Sequence, residues 1–481
     1  LIAKLRSLIN SMRRIAYLSP VNPVSSGISD YSEELLPYLG QYAQITLYLD
    51  HQLQPSNPEL VRQLEIRPDQ QLQRDHQRQP YDAILYHMGN SPAHFSIWEA
   101  LQRTPGVVVL HDVVLHHFML QYAANVRRDV EWYRREALQR YGAEGQRVAN
   151  LMLRGQLSDA VFALPFCEDV LQCATGLITH SAYAQQQALA LHPNLRSAVL
   201  PMGVPLPPEG SRQQARQRLG LPQDTILLAS FGHVNPYKRV SAVLRTVRQL
   251  RQLGWDARYV LVGSVSPSFP LQTLIDRAGL AEAVIVTGYV ERERFEAYVA
   301  AADLCLNLRH PTAGETSASL LRLLGAGRPT LVTASGSFTE LPSDVAAQVD
   351  PDQSEANLLL AYCRLLIEQP ALAAELGANA RRYVAEKHTL EAAAAGYIAF
   401  LAQLYGWGEV RKQRQVLWDV APKPREVQPI LPVQATPQAI APKDQPDPQL
   451  SIVAEALVGI GATEADAELL LSTAHIVEQL R

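Results

Sequence analysis

Twice along this chain, short and nearly continuous apolar runs alternate with stretches of helical periodicity, and few folds admit that pattern. The first series occupies residues 15–18, 45–49, 83–86, 107–110, 176–179 and 198–200. The second occupies 226–231, 259–262, 284–287, 304–308, 329–332 and 346–349. Strands that are apolar on both faces need helices on both faces, so each series predicts a parallel sheet covered by its own intervening helices. Between them, Pro205, Pro207 and Pro208 fall within four residues, which neither a helix nor a central strand tolerates. The expectation is an α/β protein with two similar halves joined near residue 205. A chain of 481 residues has room for both halves and for additional segments.

Helical stretches at 355–368, 371–386 and 389–405 close the second half. A Pro- and Gln-rich tract at about 420–448 follows and has the composition of an extended linker. Residues 450–480 carry apolar positions at helical spacing around a break at 459–463, which predicts a small helical hairpin. So short a piece cannot bury much core alone, and is expected to dock on the main body or on a protein partner. The predicted layout is a leader (1–13), two α/β domains (14–205 and 206–405), a Pro-rich linker (406–448) and a helical tail (449–481). Over residues 1–14, Lys4, Arg6, Arg13 and Arg14 are interleaved with Leu1, Ile2, Leu5, Leu8, Ile9 and Met12. A surface helix or plain leader is the simpler expectation, and peripheral contact with anionic lipid is the alternative. The apolar core of a secretory signal is lacking.

The net charge of -4 gives no support for a nucleic-acid partner. No apolar run approaches the length that spans a bilayer. The four cysteines, Cys167, Cys173, Cys305 and Cys363, lack metal-ligand spacing. That usage fits a reducing cytoplasm, with any membrane contact peripheral at its inner face.

Open α/β sheets bind ligands beyond the carboxyl ends of their strands, so the loops after each apolar run hold the candidate site. The first loop runs through Ser25, Ser26, Gly27 and Ile28 into a helix, and lets the backbone approach a phosphate or sugar. It is not a Gly-x-Gly-x-x-Gly loop, and an ordinary turn capped by Ser29 or Asp30 competes with that reading. Residues 107–110 lead into His111 and Asp112, which can orient or polarise a hydroxyl. A structural histidine or a metal ligand are the competing readings, although the adjacent His116 and His117 cannot both face one ion from a helix. The segment from His87 to Pro92 follows another strand and is expected to line the same cleft.

In the second half, Gly232 and His233 precede Lys238, which is expected to begin a helix with Val240, Val243, Leu244 and Val247 inside. A lysine in a first helical turn opposes the helix dipole unless an anion is bound there, or it is simply solvated. The most informative stretch is Arg309 to Pro329, where Arg309, Gly314 and Glu315 feed a helix expected to open at Thr316 and Ser317. One helix end contributes about 0.3–1 kcal/mol to a nearby anion, whereas micromolar binding needs about 8 kcal/mol. Lys238, Arg309 and the amides near Thr316 and Ser317 together are sufficient for a pyrophosphate, at roughly 1.5–3 kcal/mol per charged hydrogen bond.

At this point residues 14–405 resemble a family-4 retaining glycosyltransferase of GT-B fold. The ordered set carrying the likeness is Gly232-x5-Lys238, Gly288-Tyr289-Val290, Glu315 to Pro329, Gly336-x3-Glu340-Leu341 and Val349-Asp350-Pro351. The resemblance implies two Rossmann-like domains facing a cleft. It places a nucleoside diphosphate sugar mostly on the second domain and the acceptor mostly on the first, and requires neither metal nor cofactor. By the same likeness, Lys238 contacts the diphosphate, Glu315 lies near the transferred sugar, and Gly314, Thr316 and Ser317 offer amides to sugar and phosphate. Tyr289 and Val290 flank the base, Gly27 lies near the phosphates with Ile28 beside it, and His111 sits by the sugar.

Two positions depart from the family pattern. His233 replaces a fixed arginine charge with a titratable group, and Arg309 is expected to supply the missing cation. Arg322 stands where a ribose-binding glutamate is usual, which leaves the nucleotide open. The activity implied is retaining hexose transfer to a carbohydrate, lipid-linked or small-molecule hydroxyl. A non-catalytic sugar-nucleotide-binding scaffold and a nucleotide-sugar epimerase are the alternatives. Only one well-placed carboxylate is visible, which does not support the two-carboxylate arrangement of glycosidases.

Overall fold

The computed structural model describes residues 12–418 except 25, 157–158, 209 and 268. The leader up to residue 11, and the linker and tail from residue 419, lie outside the described residues. The first sheet contains β1 (Arg13–Leu18), β2 (Ala43–Leu49), β3 (Glu65–Pro68), β4 (Ala83–Met88), β5 (Gly106–Leu110), β6 (Ala174–Thr179) and β7 (Ser197–Val199). The second contains β8 (Ile226–Phe231), β9 (Ala257–Val262), β10 (Val284–Val286), β11 (Leu304–Asn307), β12 (Thr330–Thr333) and β13 (Ala347–Val349). Their orders are β3-β2-β1-β4-β5-β6-β7 and β10-β9-β8-β11-β12-β13. The pairings between these strands are parallel. Strand order reverses at β1/β4 in one sheet and at β8/β11 in the other, so each half has a crevice at its switch point.

Strand β3 has no counterpart among the predicted runs. Its sequence, Glu65-Ile66-Arg67-Pro68, is polar and ends in proline, which a sheet tolerates at its edge. Arg67 pairs there with Asp75 at 2.8 Å.

Six helices matter for the site: α1 (Gly27–Leu39), α2 (Ala182–Leu191), α3 (Val240–Gln252), α4 (Arg292–Ala301), α5 (Ala318–Gly325) and α6 (Leu390–Tyr405). Helix α1 starts earlier than its sequence suggests. Ser26 caps it by accepting from Ser29 N at 3.0 Å, so neither Ser29 nor Asp30 is the cap. Helix α6 belongs by sequence to the second half but packs on the first. A Cβ added at Gly176 in β6 would lie 2.7 Å from Leu404 of α6. Leu35 and Leu36 of α1, Leu320 and Leu324 of α5, and Tyr397 of α6 share one buried cluster. Residues beyond α6 stay pinned to the first half, with Gln413 N donating to Gln41 O at 2.8 Å and Trp418 buried. No helix among the described residues is long and apolar enough to cross a membrane.

Candidate functional site

The β8/β11 crevice gathers the cationic residues. The loop after β8 turns at Gly232, whose φ of +86° favours glycine. A Cβ at the neighbouring Gly263 would sit 2.3 Å from Gly232 O, so two backbones touch where a side chain would not fit. Lys238 does not begin a helix. It ends a short 3₁₀ turn (Pro236–Lys238), Arg239 takes a left-handed φ of 56°, and α3 starts at Val240. The conflict with the helix dipole therefore gives way to a different cost. Lys238 Nζ is buried against the sheet, where it donates to Phe231 O at 3.1 Å. Burial, then the Arg309 charge, holds its pKa well below the usual lysine range, partly offset by Glu315. An anion arriving at this lysine would relieve both effects.

Arg309 follows β11, and its backbone N donates to Thr333 Oγ1 at 2.9 Å. Its guanidinium forms an ion pair with Glu315. The Thr312 hydroxyl donates to the other Glu315 oxygen at 2.8 Å, and Ser337 Oγ donates to Glu315 O at 2.6 Å. Burial alone would raise the Glu315 pKa, but Arg309 and Thr312 outweigh it and hold the carboxyl below its ordinary range. Helix α5 opens at Ala318, with Ser317 as its cap accepting from Leu320 N at 3.2 Å. Thr316 and Ser317 line a small cavity of about 60 Å³ together with His180, Ser337 and Glu340.

The two halves meet across this loop. Val113 N and Val114 N donate to Ala313 O at 2.8 and 3.1 Å. Gly314, at φ +82°, lies so close that a Cβ there would be 3.0 Å from Val113. The contact brings Asp112 within electrostatic reach of Glu315. Asp112 Oδ2 accepts from Asn90 N at 2.8 Å. Burial first, then the Glu315 charge, pushes the Asp112 pKa up to about 7, against the lowering effect of Asn90 and Arg309. Asp112 is thus a second carboxylate within electrostatic reach of Glu315 from the other half, which adjacency in sequence could not show.

His111 is buried, and its Nε2 lies 2.9 Å from His87 Nδ1. Its ring also meets Tyr31 and His180, at centroid separations of 5.7 and 5.1 Å. Burial lowers the pKa of His111, reinforced by His180 and His87, so the ring is neutral. His116 has both nitrogens engaged, Nε2 with the Tyr133 hydroxyl at 2.6 Å and Nδ1 with Leu164 O at 3.2 Å. No group of three or more His, Cys, Asp or Glu among the described residues is arranged to hold a metal.

Other predicted residues are more scattered. Gly27 has open space where a Cβ would stand, and Ile28 reaches across to Gly89. His233 Nδ1 lies 2.9 Å from Ser264 Oγ. Tyr289 is 67% exposed, available to stack on a planar ring, while Val290 packs against the core beneath β8 and β9. Arg322 points towards the first half. It donates to both Glu34 oxygens, at 2.7 and 2.9 Å, and Arg292 adds a third bond to Glu34 at 3.1 Å. Glu340 makes a matching crossing elsewhere, accepting from Ala182 N at 3.1 Å and Tyr183 N at 2.6 Å at the start of α2. Sequence reading did not find Glu34 as a site residue, nor the partner of Glu340. Burial of a glutamate on an otherwise apolar helix face was the only available hint of Glu34.

Residues 211–383 match the family described as Glycosyl transferases group 1. A curated relative, D-inositol 3-phosphate glycosyltransferase of Streptomyces avermitilis, is 31% identical over 189 residues, 37% of this chain and 39% of the relative. The alignment thus spans well under half the length of that relative. Among solved structures, sucrose-phosphate synthase from Thermosynechococcus elongatus superposes with a TM-score of 0.58 and 17% identity, over 82% of this chain and 100% of that one. HepE of Anabaena, crystallised with UDP-glucose, gives 0.58 and 15% identity, over 81% of this chain and 99% of its own. The architecture is therefore a GT-B fold, and its second half carries a glycosyl transferases group 1 domain.

Proposed function

We propose that this protein transfers a hexose from a nucleoside diphosphate sugar to a hydroxyl acceptor, with retention of anomeric configuration. The carrying observation is the convergence of Lys238, Arg309 and Glu315 at the β8/β11 switch point, with Asp112 of the other half within electrostatic reach of Glu315. In this reading the departing diphosphate moves towards Lys238 and Arg309, which meet its growing charge. Preorganisation favours that step, because Lys238 is already held at the strand end and desolvated. Glu315, fixed by Arg309 and Thr312, orients the sugar ring. His111 contacts the sugar hydroxyls, and the acceptor attacks from the face the diphosphate leaves. Asp112, with a pKa near neutrality, is placed to exchange a proton with an incoming hydroxyl.

Calorimetric titration with a panel of nucleoside diphosphates tests the donor site. Lys238→Ala and Arg309→Gln are each expected to weaken binding about 10- to 100-fold, the size of one charged hydrogen bond. Wild-type affinity in both variants would place the diphosphate elsewhere. A non-catalytic binding protein is the second reading, favoured by one observation: Arg309 and Arg322 are already committed to Glu315 and Glu34. It predicts nucleotide binding without turnover. An epimerase predicts turnover of the donor without any acceptor.

A further inference from the structure

We infer that the amphipathic leader, residues 1–11, docks along α6 of the same chain and fills an open apolar groove there. The groove has a volume of about 490 Å³ and is lined chiefly by Tyr42, Ala395, Ile398, Ala399, Ala402 and Trp407. Tyr42 immediately precedes β2, so the groove lies where the strands begin, at the opposite end from the loops that hold the site. Helix α6 is apolar almost all round: apart from its tyrosines, Glu391 and Gln403 are its only polar side chains. Its inner face, with Tyr397 and Leu401, is buried in the core. Its outer face leaves Ala395 and Ala399 exposed. A helix that is apolar on every side is normally covered on every side.

The start of the described chain adjoins this groove. Arg13 of β1 lies over the Trp407 ring, 5.3 Å from its centroid. Arg13 also pairs with Ala43, so Met12 and the groove residue Tyr42 stand just before the paired strands, and Met12 is buried. Upstream, the sequence supplies a matching face. At about 100° per residue, Leu1, Ile2, Leu5, Leu8, Ile9 and Met12 fall within one arc of about 120°. Lys4, Arg6, Ser7, Asn10 and Ser11 fall outside it. Wound as a helix, residues 1–11 would span about 16 Å, and Ala395 lies about 15 Å along α6 from its end at Tyr405. A leader entering beside Trp407 therefore has the length to reach Ala395. The tail at 450–480 is also apolar at helical spacing, but residues 419–449 separate it from Trp418. The leader needs no linker and has the smaller loop-closure cost. The groove rim is mixed in charge, with Lys412 over the Tyr42 ring and Glu409 paired with Arg411 at 2.6 Å, which gives an anionic lipid surface little to hold.

The leader carries its own reporters, because trypsin cuts after Lys4 and Arg6. The whole protein is digested briefly, with and without phosphatidylserine vesicles, and the leader fragments are followed by mass spectrometry. The double variant Ala395→Gln, Ala399→Gln sets polar side chains in the groove at exposed helical positions that glutamine suits. Without vesicles it should speed cleavage after Lys4 and Arg6 about tenfold or more relative to the wild type, the scale of a buried leucine set free. Equal rates in the two proteins, or protection of the wild type only when vesicles are present, would overturn the inference. Photocrosslinking identifies the occupant. From Gln403→benzoylphenylalanine, on the exposed rim, a crosslink is expected to residues 1–11 in a product of monomer mass. A crosslink to residues 450–480, to a second copy, or to no segment beyond the described neighbours would overturn it equally. Neither measurement depends on turnover, so the inference stands or falls apart from the sugar-transfer reading.

Discussion

Lys238, Asp112 and Glu315 owe their electrostatic character to neighbours that no local motif displays. Lys238 follows a recognisable glycine loop, yet its desolvation comes from burial in the fold, and its repulsion comes from Arg309. Asp112 was legible as a carboxylate at a strand end, but its raised pKa comes first from burial and then from Glu315, brought from the other half. That shift has a consequence for stability. A carboxyl whose folded pKa exceeds its unfolded one stabilises the protein in its protonated form. The contribution is complete below the unfolded value, near 4, and is lost as pH rises through about 7. Glu315 shifts the opposite way, so its contribution is lost only as pH falls below the ordinary carboxylate range. Thermal melts between pH 4.5 and 8 should show the wild-type midpoint drifting down relative to Asp112→Asn as pH rises. Parallel curves for the two proteins would remove Asp112 from the account.

At the scale of elements, most of the fold was legible because buried parallel strands are apolar on both faces and stand out from amphipathic helices. Twelve of the thirteen strands overlap predicted runs. The exception, β3, is an edge strand held by polar side chains, and so carries no apolar signal. Helix starts were less legible. Caps depend on backbone geometry, and the sequence pointed to Ser29 or Asp30, whereas Ser26 accepts the bond. The α5 cap was read nearly in place. Ser317 there holds Leu320 N and orients the amides that would face the donor. Ser317→Ala should cost about 1 kcal/mol of stability and weaken nucleoside diphosphate binding in the same protein. Denaturant titration and calorimetry on one preparation check both, and a stability loss with unchanged binding would confine Ser317 to folding.

At the scale of the whole molecule, the closure of the halves was not legible. Its contacts join residues far apart in sequence: Glu34 with Arg322, Glu340 with the start of α2, and Ala313 with Val113. Arg322 illustrates the point. Against the family pattern it was a missing glutamate, and in space it is one end of a clasp whose carboxylate sits on α1. Glu34 is nearly fully buried and keeps only Arg292 when Arg322 is replaced, so a second carboxylate set against it costs on the order of the 3–5 kcal/mol typical of a broken buried pair. Arg322→Glu alone should therefore open the two halves, seen as a larger radius of gyration in small-angle scattering. The reciprocal Glu34→Arg, Arg322→Glu pair should recover part of the compact form, with Arg292 limiting full recovery. A single variant as compact as the wild type would show that the clasp does not hold the cleft.

The central claim, that Glu315 and the cations at the β8/β11 switch point serve sugar transfer, is tested most directly by following the anomeric proton of product by NMR. Wild-type protein supplied with nucleoside diphosphate sugars and an acceptor panel should yield a glycoside with the anomeric configuration of the donor. Glu315→Gln should keep nucleotide affinity and reduce kcat by about 10²-fold or more, the scale of a lost transition-state contact. An inverted product would contradict retention, and a Glu315→Gln protein as active as the wild type would contradict the site.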